Sequence, residues 1–225
     1  MRYHIDTGLI YQKFNENCNC PLCEIQKIVE EQFLYEFLND AVMEDNTRIK
    51  VGKKGFCEKH FDMLFSRQNK LSVALQMETY ASKLKEKLSI PANPSIAKRT
   101  AKEIEKSLPT CVVCDLVNES MVKYYKTISR MFLYETDFYR TLINAKGLCL
   151  KHYSKLLEYS SLAGTLKKEY LKTIYTVWER SYQKSIENLQ NFCMKHDYRN
   201  TLDFMGSDEK SLEEIRERIY GKKYE

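Results

Sequence analysis

A chain of 225 residues, 43% hydrophobic and 30% charged, has the composition of an ordinary soluble globular protein, long enough for one domain or two close-packed halves with a core. Its net charge of +5, from 36 basic and 31 acidic residues, is spread along the chain, so it makes no electrostatic case for nucleic acid. No run nears the ~18 apolar residues of a membrane span, and Met1-Arg-Tyr-His-Ile-Asp6 has no apolar signal-peptide core, so a cytoplasmic protein with reduced thiols is expected.

Seven Gly and four Pro favour long helices over a turn-rich β fold. Thr7 reads as the N-cap of a short helix carrying Leu9, Ile10, Tyr11 and Phe14. Ile25, Ile28, Val29, Phe33, Phe37 and Ala41 then share one helical face, and the polar stretch Met43–Ile49 reads as a loop. A helix is expected from Phe56, weakening at Arg67-Gln-Asn69 and resuming through Leu71, Leu75, Ala81 and Leu88. Pro91 and Pro94 mark a linker, followed by a short charged helix over Ile96–Ser107. Val117, Met121, Tyr124, Tyr125, Ile128 and Phe132 repeat the first apolar face. The longest helix follows His152, with Leu166, Tyr170, Ile174, Trp178, Tyr182 and Ile186 at four-residue steps. Ser211-Leu-Glu-Glu214 matches a capping box, and Gly221 is a natural helix stop. No run reads as a strand, which makes the fold all-α.

Four cysteine motifs carry the chemistry. Cys20-Pro-Leu-Cys23 is answered by Cys57-Glu-Lys-His60, and Cys111-Val-Val-Cys114 by Cys149-Leu-Lys-His152. Cys20 and Cys111 lie 91 positions apart, as do Cys23 and Cys114, while Cys57 and Cys149 lie 92 apart, as do His60 and His152. This is an internal duplication of metal-ligand spacings. A tetrahedral ion such as zinc takes four thiolate or imidazole donors, and helix N-termini favour ionised sulfur. Each half can therefore close a Cys3His site: Cys20, Cys23, Cys57 and His60 in the first, and Cys111, Cys114, Cys149 and His152 in the second. The expectation is two tandem helical-hairpin repeats, each clipped by its own metal, plus a long C-terminal helix. The organisation would be 1–90 with the N-terminal helix, 91–110 as linker and charged helix, and 111–225 with the C-terminal helices, all packed as one compact unit.

Other positions echo between the halves: Glu24 with Asp115, Glu44 with Glu135, Arg48 with Arg140, Lys59 with Lys151, and Leu64 with Leu156. A polar pocket built on Glu44 and Arg48 is one reading; support for thiolate or loop backbone around the metal is the better one. Two cysteines remain. Cys193 forms a third C-x-x-H with His196, but a third site could draw only on Cys18 and His4, so a packed free thiol is the better reading of Cys193. The 16 tyrosines fall on helical faces and read as core and core rim.

Tyr3-His-Ile-Asp-Thr7, the Cys20-Pro-Leu-Cys23 pair, Ala41-Val-Met-Glu-Asp45 with Arg48, Gly55-Phe-Cys57-x-x-His60 and Asp197-Tyr-Arg199 together resemble an uncharacterised bacterial family catalogued as domain of unknown function 6062. The resemblance spans nearly the whole chain. It implies a cytoplasmic bacterial protein and no particular activity, and Cys193 with His196 falls outside its pattern.

Two functional classes follow from the residues. One is a zinc-stabilised helical binding or adaptor protein with two zinc ions per chain and a protein partner in its grooves. In its favour are the closed ligand count, the duplication, and the lack of a catalytic triad, phosphate loop or H-E-x-x-H motif. The other is a thiol-based redox sensor or reductase using the C-x-x-C pairs. An iron–sulfur protein is a third option, disfavoured by histidine ligation.

Overall fold

A computed structural model describes residues 7–39, 44–88, 91–108, 110–195 and 210–222. Among these residues every regular element is helical. The chain divides into two units that are not its consecutive halves. One unit comprises Met1–Lys27 and Met121–Glu225; the other, Ile28–Ser120, is an insertion within it. Two helices cross the boundary: α2, Pro21–Leu38, begins in the outer unit, and α7, Val112–Tyr134, begins in the inserted one.

The outer unit also holds α1, Gly8–Asn15; α8, Phe138–Asn144; α9, Leu150–Glu158; a 3-10 segment, Ser160–Leu166; α10, Lys167–Lys195; and α11, Lys210–Tyr220. Its core mixes aliphatic and aromatic side chains. Phe138 of α8 is fully buried and meets Tyr11 and Phe14 of α1 edge-on, at ring separations of 5.6 and 6.0 Å. Phe132 meets Tyr170 in the same way at 5.2 Å. The buried Tyr170 hydroxyl receives the Ser129 hydroxyl at 3.1 Å, which satisfies a polar group inside apolar packing.

The inserted unit holds α3, Asp45–Lys54; α4, Glu58–Phe65; α5, Lys70–Lys87; and α6, Pro94–Ser107. Leu34, Val51 and Leu64 are fully buried in it, and Phe37 meets Phe56 edge-on at 5.5 Å. Its helix starts follow local chemistry. The Asn69 carboxamide accepts from the Ser72 amide and caps α5, and the Asn93 carboxamide accepts from the Ile96 amide at 3.0 Å with Pro94 in the first turn of α6.

Two expectations need correction. The polar stretch read as a loop forms α3 from Asp45 onward; Met43 lies outside the described residues. Its helical pattern is faint because Val51 and Gly52 are its only buried residues, and packing against α5 supplies what periodicity does not. Ser211 lies one residue inside α11, and Glu214 does not reach back to the helix start. Its carboxylate accepts instead from Ser185 and Asn188 of α10, at 3.0 and 3.1 Å. Gly221 ends α11 as expected, with φ of 85° in the left-handed region.

Candidate metal centres

All four motifs sit in the same way on their helices. Cys57 and Cys149 are the N-caps of α4 and α9, and His60 and His152 stand three residues on. Cys20 and Cys111 immediately precede α2 and α7, with Cys23 and Cys114 three residues on. An N-cap side chain and the side chain three residues later lie on the same side of a helix's first turn, the geometry a capping box uses. That is why C-x-x-C and C-x-x-H each deliver two donors to one point.

The eight donors gather into two clusters of four, and their partition is the main correction to the sequence reading. Cys20 and Cys23 do not meet Cys57 and His60. They meet Cys149 and His152 in the outer unit, while Cys57 and His60 meet Cys111 and Cys114 in the inserted unit. Each cluster therefore joins the C-x-x-C of one half of the sequence to the C-x-x-H of the other.

In each cluster the donor atoms lie within 4.8 Å of one another. In the outer unit the Cys23 and Cys149 Sγ atoms are 3.7 Å apart, and His152 Nδ1 lies 3.5, 3.4 and 3.2 Å from the sulfurs of Cys20, Cys23 and Cys149. In the inserted unit the Cys57 and Cys114 Sγ atoms are 3.8 Å apart, and His60 Nδ1 lies 3.3, 3.2 and 3.3 Å from the sulfurs of Cys57, Cys111 and Cys114. A tetrahedral ion with ordinary zinc–sulfur and zinc–nitrogen bonds requires about 3.8 Å between sulfurs and about 3.5 Å between sulfur and nitrogen. The sulfur–nitrogen separations and the Cys23–Cys149 and Cys57–Cys114 separations are close to these values, so each cluster could hold a metal ion.

Both imidazoles present Nδ1 to the thiols and are held from behind at Nε2. His60 Nε2 lies 2.8 Å from Glu30 Oε1, an oxygen that also accepts from Lys59 Nζ at 2.6 Å. His152 Nε2 lies 3.2 Å from Gln26 Oε1, which accepts from Lys151 Nζ at 3.3 Å. In the neutral imidazole that a metal ion requires, an acceptor at Nε2 keeps the proton there and leaves the Nδ1 lone pair facing the sulfurs. Neither Gln26 nor Glu30 was singled out from the sequence. The available signal was a charged residue, Glu30, on the buried face of α2 beside Val29 and Leu34. The matched lysines, Lys59 and Lys151, do serve as support around the imidazoles.

Protons alone cannot settle such crowded donors. Burial, reinforced by Cys149 and Cys23, pushes the Cys20 thiol far above the usual thiol range, while hydrogen bonds from Cys149 and Cys20 hold Cys23 far below it. In the inserted unit the contact with Cys114 leads in lowering Cys111 to about 3, and pushes Cys114 itself up. Burial works against a charged His60, but Cys111 and Glu30 outweigh it and raise the imidazole to about 10. A divalent cation allows all three sulfurs to ionise together, and the two helix N-termini at each cluster favour the same charge.

The backbone around the inserted cluster is tied directly. The Gly55 carbonyl accepts from the Val112 amide at 3.0 Å, and the Lys54 carbonyl accepts from the Thr110 hydroxyl at 2.7 Å, so the approaches to Cys57 and Cys111 are bonded to each other. Gly55 has φ of 64°, and a Cβ there would collide with the Tyr80 ring, which explains the glycine in Gly55-Phe-Cys57. In the outer cluster, a Cβ added at Gly221 would lie 3.4 Å from the Cys23 sulfur, so the end of α11 closes over that site.

The remaining positions play other parts. Glu24 pairs with Lys222 at 2.8 Å and Asp115 with Lys54, local ion pairs beside each C-x-x-C. Glu44 is the N-cap of α3 and Arg48 lies in its first turns, and both are exposed. Cys18 is half-buried and touches the Lys13 carbonyl. Cys193 is exposed and does not pack as a buried thiol; His4, His196, Asp197 and Arg199 lie outside the described residues.

No described helix is long and apolar enough to cross a membrane. No curated protein and no solved structure matches the chain. A sequence family described as a family of unknown function, DUF6062, matches residues 1–224, and the chain belongs to that family.

Proposed function

We propose that this chain is a zinc-fastened helical scaffold, carrying two zinc ions, that works as a binding module. One observation carries the reading. Each unit gathers three thiols and one imidazole with donor atoms within 4.8 Å of one another, and the imidazole is anchored behind by Gln26 or Glu30. Three soft sulfurs and one borderline nitrogen select zinc over hard cations. Four protein donors leave no coordination position for substrate or water, which makes each ion a fastener for its unit. Cys20, Cys23, Cys149 and His152 would hold one ion, and Cys57, His60, Cys111 and Cys114 the other.

Elemental analysis of protein purified under reducing, chelator-free conditions tests this reading. The expected result is about two zinc per chain and a colourless solution. Iron with absorption near ~400 nm would replace it with an iron–sulfur reading.

A second reading, a thiol-based redox sensor, draws on one feature. Cys57 and Cys114 are half-exposed, with sulfurs 3.8 Å apart, whereas all four donors of the outer unit are buried. Rapid, reversible loss of one zinc and two thiols on peroxide treatment would favour it.

A further inference from the structure

Among the described residues, α6 differs from every other helix in burying none of its residues. It is nonetheless amphipathic. Ile96, Ala97, Thr100, Ala101, Ile104 and Leu108 fall on one stripe, with Ile96 42%, Ile104 38% and Leu108 67% exposed. A helix with an uncovered apolar stripe gains little from its own unit, and such a stripe marks a surface that another helix covers.

The charges beside the stripe identify the occupant. Arg99 and Glu103 border it on one side, and Lys98 and Glu105 on the other. When two copies of α6 lie antiparallel about a two-fold axis near Ala101, each border faces the same border of the second copy, run in reverse. Arg99 then stands level with Glu103 of the second copy, and Lys98 is within one residue of Glu105 of the second copy. Ile96 falls between Ile104 and Leu108 of the second copy, while the small Ala97 and Ala101 let the helices approach. A parallel pair would set Arg99 against Lys98, and Glu103 against Glu105. The sequence of α6 is thus complementary to itself in one orientation only, as an isologous interface requires.

We propose that α6 is a self-association surface, through which two copies of this chain pair antiparallel along the Ile96–Leu108 stripe. This goes beyond the reading of the metal centres and does not depend on which metal they hold. A single helix pair buries a small area, so the dimer is weak and reversible.

The test is sedimentation equilibrium of the full chain, with zinc content measured on the same samples so that a failure of the metal reading is seen separately. Wild-type protein should be dimeric by about 200 µM, in the range expected of so small an interface. Arg99→Glu and Glu103→Arg should each weaken association about tenfold by placing like charges together, and the double variant should restore it. Circular dichroism of the three variants guards against simple loss of the helix. Ile104→Lys should give monomer with unchanged zinc. A protein that stays monomeric, a dimer indifferent to all four variants, or a double variant no better than the singles would overturn the proposal. So would a monomer that instead binds vesicles of phosphatidylserine and phosphatidylcholine through the stripe.

Discussion

His60 Nε2 and Glu30 Oε1 lie 2.8 Å apart in a place where Glu30 is only 2% exposed. The carboxylate therefore serves the imidazole and Lys59 rather than solvent, and it sets which ring nitrogen faces the sulfurs. Gln26, one helical turn earlier on α2, does the same for His152 with a neutral amide.

Glu30→Ala should lower metal affinity at the inserted-unit site about 10- to 100-fold, the usual effect of removing an imidazole's anchor, and leave the outer site unchanged. Gln26→Ala should do the reverse. Competition against a chromophoric chelator resolves the two affinities. Equal weakening of both sites by either variant would count against the anchoring role.

The partition of ligands has a direct test. Cys57→Ser combined with Cys111→Ser should leave one metal per chain, because both residues serve one site. Cys20→Ser combined with Cys57→Ser should leave none. Pairing within each sequence half predicts the opposite: one metal retained in the second double variant and none in the first. Each single loss should also lower thermal stability markedly, since binding energy at such a site is folding energy.

The helices and the eight donors were legible in the sequence because both rest on short periods: the helical repeat and the three-residue step from N-cap to first turn. The partition was not. Cys57 and Cys149 stand in the same local frame, so spacing alone cannot choose which of them completes the Cys20–Cys23 pair. That choice is made by long-range packing of buried residues such as Leu22, Ile25 and Leu148. Helix α3 was hidden for a related reason, since its stability comes from its contact with α5. Gln26 and Glu30 were hidden because a lone polar residue on a helix gives no sign of what it faces.

Trp178 offers a reporter for the outer site. It stacks on Tyr153, the neighbour of His152, with ring centres 5.0 Å apart, and on Tyr182 at 5.1 Å. Cys149→Ser should change its fluorescence, because α9 loses the tie at its first turn. Cys114→Ser should leave the emission within a few nanometres of wild type. Matching shifts in both variants would mean that the two units unfold together.

Thiol reactivity should rank by exposure. In metal-loaded protein at neutral pH, Cys193, which is exposed, should react with an alkylating reagent first. Burial, with help from Glu24 and Glu16, pushes Cys18 up to about 11, so very little of it is thiolate below pH 9 and it should react slowly. Its rate should climb as pH rises toward 11. Cys193→Ser should remove the fast phase and cost roughly 1 kcal/mol or less. Peptide mapping identifies the labelled residues, and early labelling of Cys20 or Cys23 would contradict closed metal sites.

The insertion of one unit within the other fixes the order in which ligands become available during synthesis. A chain emerging from its N-terminus exposes Cys20, Cys23, Cys57 and His60 before any other donor. These four form a chemically complete set, and it is the wrong one. The inserted unit can close only once Cys114 has appeared, and the outer unit only after His152, about 130 residues behind the first cysteine. At a translation rate of about 5–20 residues per second, Cys20 and Cys23 wait for several seconds beside a mismatched pair. Under the two-zinc reading, faithful assembly therefore depends on metal exchange staying faster than the growth of the chain, or on metal arriving after the helices have packed.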